Sequence, residues 1–159
     1  MNGPRSLRLG AKAVHEIASI IFGGALAACL VIDQLADRHA PAEFAAWRQA
    51  FAAIAQYLLT PSMAVVVFSG LVSLAATRGY QDAGWAWVKA LLGLSVFEAT
   101  LAVVGSSRRQ ADLVAAATDP TLLDTMLRSE RNTLWLLLVL SAANVVLAVW
   151  RPRLMITVR

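Results

Sequence analysis

Four apolar runs, each close to the length a helix needs to cross a bilayer, dominate this chain and leave little with which to build anything else. A hydrocarbon core of roughly 30 Å takes about 20 mostly apolar residues in helical conformation. The runs extend from Ala13 to Ile32, Ile54 to Thr77, Trp85 to Gly105 and Leu134 to Trp150, closed by Asp33, Arg78-Gly79, Ser106-Ser107-Arg108-Arg109 and Arg151-Pro152. Of 159 residues, 58% are hydrophobic and 15% charged, more apolar than an ordinary soluble domain can bury. The expectation is an all-α, integral membrane four-helix bundle in a single domain, surrounded by lipid.

The first run starts near a basic N-terminus, and Leu26-Ala27-Ala28-Cys29 fits a lipoprotein cleavage site. The apolar stretch nevertheless continues through Leu30-Val31-Ile32, long enough to span, so retention is expected. Cys29 is the only cysteine, which rules out an intrachain disulfide and any cysteine-built metal site. The net charge of +4 is carried by basic residues standing singly or in pairs, a pattern that points away from nucleic-acid binding.

Two helices, and the tail of the third, are expected to outrun the bilayer. Pro41 and Glu43 mark a start well before the second span, and Asp119-Pro120 reads as an N-cap followed by proline at the first helical position. At 1.5 Å per residue, these helices reach roughly 45–50 Å, so they protrude on the side of the first and third loops. The competing expectation is a short helix lying at the interface. Pro61 should kink the second span, with Thr60 helping to satisfy the freed backbone. Gly23-Gly24, Gly70 and Gly93 are expected to let helices approach closely, and Trp85, Trp87, Trp135 and Trp150 to form an aromatic belt.

Basic residues at the termini and second loop (Arg5, Arg8, Lys12, Arg78, Arg151, Arg153, Arg159) slightly outnumber those of the first and third loops (Arg38, Arg48, Arg108, Arg109, Arg128, Arg131). This places both termini in the cytoplasm of a bacterial-type inner membrane.

Polar groups inside spans carry the functional expectations. His15, Lys89 and Asn144 fall at matching depth near the terminal face. For His15 the choice lies between a haem-iron ligand or proton carrier and a histidine wetted by headgroups beside Glu16. Lys89 either neutralises a carboxylate such as a haem propionate or snorkels to the interface. Asn144 either lines a cofactor site or bonds a neighbouring helix. Glu98 lies nine residues after Lys89, which places it on the opposite side of the third helix. If Lys89 points inward, Glu98 faces lipid and marks an interface with another copy or a partner subunit. The second histidine, His39, falls on the opposite face of the membrane from His15, so one chain offers a haem a single histidine.

Several stretches together resemble the HemJ-type protoporphyrinogen oxidase and copper-resistance D-like superfamily of four-helix membrane proteins. His15 followed by Phe22-Gly23-Gly24 resembles the opening helix of the copper-resistance D-like domain. Leu59-Thr60-Pro61-Ser62-Met63 with Gly70, Gly84-Trp85-Ala86-Trp87-Val88-Lys89-Ala90-Leu91, and Arg128-Ser129-Glu130-Arg131-Asn132 leading to Trp150-Arg151-Pro152 resemble the second, third and fourth HemJ-type helices. The resemblance implies b-type haem, a homo-oligomer and oxidation of protoporphyrinogen, with His15 as the haem-related histidine and Lys89 as the helix-three lysine. The sequence-level rivals are a non-catalytic subunit that stabilises a larger membrane complex and a copper-handling protein using Met63, Cys29 and His15.

Overall fold

The computed structural model describes residues 5–36, 39–76, 83–108 and 118–150, with side chains over 9–36, 39–76, 83–105 and 118–150. Arg38, Arg78-Gly79, Arg109, Arg151-Pro152, Arg153 and Arg159, which enter the sequence expectations, lie outside the described residues. Four helices account for nearly everything else: α1 (Arg5–Leu35), α2 (Pro41–Ala76), α3 (Gly84–Arg108) and α4 (Pro120–Trp150). All four contain windows long and apolar enough to cross a membrane. Their outward surface is apolar, with Ile20, Phe68 and Val149 among its most exposed side chains. The chain is a multi-pass integral membrane protein.

The helices form a ring in chain order, each antiparallel to the next, in which α1 packs far more extensively on α2 than on its other neighbour, α4. α2 is one unbroken helix of 36 residues and α4 one of 31, about 54 and 46 Å long. Both exceed the hydrocarbon thickness, so they protrude as expected, and among the described residues each runs from its first turn into its span as one helix. Their starts follow local chemistry. Pro41 supplies a fixed φ at the first turn of α2. Asp119 Oδ1 accepts hydrogen bonds from the backbone N–H groups of Thr121 and Leu122 at 3.0 and 3.1 Å, which satisfies donors left over at the start of α4.

Pro61 has no N–H, and its ring would collide with the carbonyl four residues earlier. The chain answers one turn before the proline with a π-helical turn at Ala55–Leu59. The Thr60 N–H and hydroxyl both donate to the Ala55 carbonyl, the latter at 2.9 Å. Ser62 Oγ donates to the Leu59 carbonyl at 3.1 Å. Hydroxyls beside the proline thus do what water does in a soluble loop.

The core joins Phe22, Leu26 and Cys29 of α1, Phe51, Ala55, Leu59 and Met63 of α2, Val96 and Val103 of α3, and Leu134 and Leu137 of α4. A satellite of Phe44, Leu123 and Leu127 packs under the first and third loops. Gly70 and Gly93 sit at helix contacts, with the His15 ring and the Asn144 amide respectively beside the position a Cβ would take. Gly23 and Gly24 do not. Both point outward into open space, because Phe22 and Ala25 take the inward positions of that turn.

Candidate functional site

Inward positions recur at spacings of three and four along each helix, alternating except through the π turn of α2, and following them through the bundle locates its polar groups. On α1 they run His15, Ala18, Phe22, Ala25, Cys29, Ile32. On α2 they run Phe44, Arg48, Phe51, Ala55, Leu59, Met63, Val66, Gly70, and on α3 Ala86, Lys89, Gly93, Val96, Thr100, Val103. On α4 they run Leu123, Leu127, Glu130, Leu134, Leu137, Ser141, Asn144. The centre is apolar. Polar residues interrupt the pattern in two layers, one towards each face of the membrane.

The layer on the terminal side contains His15, Lys89 and Asn144. His15 Nδ1 lies 2.7 Å from Ser69 Oγ, and Ser69 Oγ donates its own hydrogen to the Val65 carbonyl at 2.6 Å. When the single hydroxyl hydrogen goes to the Val65 carbonyl, Ser69 accepts from His15, and that tautomer carries its proton on Nδ1 and its lone pair on Nε2. The ring is half-buried and rests against Gly70. Lys89, also half-buried, is within electrostatic reach of His15. One turn further along α3, Gly93 makes room for the Asn144 side chain. Asn144 Oδ1 and Ser141 Oγ are enclosed without a hydrogen-bond partner, an expensive condition for polar atoms.

Among the described side chains, α4 contributes no fully buried residue after Leu137, and α1 none before Ala18, so these two helices pack loosely at this end. The three sequence-expected residues therefore point to a common polar layer, which Ser69 and Ser141 extend. Ser69 could have been found from its seven-residue spacing to Ser62, but only the α1–α2 register assigns it to His15.

The opposite layer was not anticipated as a site. Arg48 and Glu130 form a bidentate pair, with Nη1–Oε1 at 2.6 Å and Nη2–Oε2 at 2.8 Å, both side chains about 95% buried. The Arg48 guanidinium also stacks 4.5 Å above the Phe51 ring. Beside this pair, Arg131 Nε donates to Asp33 Oδ2 at 2.6 Å. Arg48 and Arg131 are thus not free loop charges, and Asp33 is not a stop signal, since α1 continues to Leu35 with Asp33 buried. A readable signal exists: Arg48 and Glu130 occupy inward positions between apolar neighbours, and their signs are opposite. A cavity of about 440 Å³ adjoins this layer, lined by Asp33, His39, Arg48 and Arg131 with Phe44 and Leu127 among its apolar walls.

Glu98 is exposed on the outward side of α3, as its half-turn offset from Lys89 implies. Cys29 is buried and unoxidised in the core, and Met63 packs nearby in the same cluster, well away from His15. Among the described residues no three His, Cys, Asp or Glu side chains gather as a metal cage. No family model, no curated protein and no solved structure matches this chain.

Proposed function

We propose that this membrane protein is a haem-associated redox protein of the HemJ-like kind, with b-type haem held between α1, α3 and α4 near the terminal face. The observation that carries this reading is the polar layer in the loosely packed half of the bundle. There a histidine is oriented by a serine, and two enclosed polar atoms on α4 await partners. These residues suit the group. Haem asks the protein for an axial ligand rather than a cage of several side chains. His15 offers Nε2, and Ser69 on Nδ1 holds the tautomer and ring orientation, as partners of metal-bound histidines generally do.

In this reading Lys89 neutralises a propionate, and Ser141 and Asn144 hydrogen-bond the cofactor or a polar edge of the substrate. When bound, haem supplies one-electron chemistry, which serves electron transfer or porphyrinogen oxidation. The chain's own contribution is to hold, orient and exclude water. The inner-membrane location with cytoplasmic termini belongs to the same proposal. Setting aside Arg48 and Arg131, which are committed to buried carboxylates, the sequence has four other arginines on the loop side (Arg38, Arg108, Arg109, Arg128), against seven basic residues on the terminal side.

The test is the visible spectrum of protein purified in mild detergent. A Soret band that shifts on dithionite reduction, vanishes in His15→Ala and persists in His39→Ala supports the proposal. A colourless protein that co-purifies with other membrane subunits would replace it with the non-catalytic subunit reading.

A further inference from the structure

Glu98 presents a problem that the haem site does not solve. It stands on the lipid side of α3, between the inward residues Val96 and Thr100, and has no hydrogen-bond or ion-pair partner among the described residues. Its depth follows from two contacts. Glu130 marks the ionic layer on α4, and Asn144, fourteen residues on, meets Gly93 of α3. Glu98 is five residues from Gly93 back towards that layer. At 1.5 Å per residue it lies about 13 Å from the ionic layer, near the middle of the bilayer. An ionisable group at that depth is costly and is ordinarily paired.

The same ruler applied to α2 finds a complement. Tyr57 is nine residues from Arg48, again about 13 Å from the ionic layer. Tyr57 is 70% exposed, and Gln56 beside it is exposed as well. Neither side chain has a hydrogen-bond partner among the described residues. Basic partners are absent at this depth among those residues: Lys12 belongs to the terminal end, Lys89 faces inward, and Arg48 and Arg131 are held in the ionic layer. What remains is an acceptor on one outer face and two uncharged donors on another, at equal depth.

We propose that a second copy of this chain covers Glu98, with its Tyr57 hydroxyl and Gln56 amide donating to the Glu98 carboxyl. The two faces belong to neighbouring helices at equal depth, so the contact closes either as a two-fold dimer, in which each copy's Glu98 meets the other's Tyr57 and Gln56, or as a larger ring. It satisfies at once all three polar groups that otherwise face hydrocarbon. The inference is independent of haem.

The test uses the full chain carrying Cys29→Ser, in which differently tagged copies bearing Tyr57→Cys and Glu98→Cys are co-expressed and their membranes treated with copper–phenanthroline. A disulfide between the two variants, and far less in either expressed alone, is the expected result. Single-molecule photobleaching in lipid vesicles should show wild-type assemblies, and Glu98→Leu should raise the dissociation constant roughly five-fold, the scale of one interhelical hydrogen bond in a membrane. Circular dichroism should be unchanged, since Glu98 packs against nothing in its own chain. Wild-type protein that is monomeric in vesicles, Glu98→Cys copies linking mainly to each other, or association indifferent to Glu98→Leu would overturn the proposal.

Discussion

A charge buried in a bundle is governed by what remains when its partner is removed. Arg48→Ala or Glu130→Ala leaves the other member enclosed and uncompensated, and the expected loss is about 3–5 kcal/mol, read as a lowered thermal midpoint in detergent. The double replacement Arg48→Met with Glu130→Leu should recover most of that loss, because the inward positions around them are otherwise apolar. If the double variant were no better than the singles, the pair would be acting through something other than mutual neutralisation. At the other end, Ser69→Ala removes the group that holds His15 Nδ1. Under the haem reading this should weaken cofactor retention by roughly 10–100-fold, measured by haem titration, with the fold unchanged. Sequence spacing was enough to single out His15 and Lys89. It could not supply the serine, because a partner on another helix is set by register.

At the scale of the element, the π turn in α2 is the device that keeps one helix in phase with two polar layers. Ala55 and Leu59 are both fully buried, one on each side of the extra residue. Deleting Leu58, which is exposed, should remove the extra residue together with the π turn and leave the residues after it on the same faces relative to Arg48. Ser69 would then stay against His15 and the Arg48–Glu130 pair would stay made. The expected outcome is membrane insertion, thermal midpoint and the His15-dependent absorption band largely retained, and a lost band would mean that the turn does more than absorb one residue. Pro61 and Thr60 were legible as a local disturbance, since proline removes a donor wherever it falls. The disturbance came out as a wide turn because the inward pattern on both sides had to be preserved.

For the whole molecule, two polar layers bound an apolar middle. Eighteen residues of α1 separate Asp33 from His15, about 27 Å, close to one hydrocarbon thickness. The ionic layer closes the bundle under the protruding ends of α2 and α4, while the other end stays open between α1 and α4. Sidedness follows instead from the excess of basic residues on the terminal side. In a Cys29→Ser chain, a cysteine at His39→Cys should react with a membrane-impermeant maleimide applied to intact cells, and one at Arg153→Cys only after lysis. The reverse pattern would invert the orientation without altering the fold.

The chain on its own determined that it lives in lipid, how many times it crosses, where α2 and α4 begin and that their ends protrude. These follow from lengths of apolar sequence and from caps and prolines acting within a turn, all of them local quantities. The side on which Glu98 emerges was likewise fixed by counting along one helix. Tertiary structure decided which charges meet: that Arg48 belongs to Glu130 and Arg131 to Asp33, that His15 leans on Ser69, and that Gly70 and Gly93 make contact where Gly23 and Gly24 do not. Those facts depend on how far one helix slides and turns against the next, and a shift of a single residue rotates a side chain by about 100° without changing any local preference.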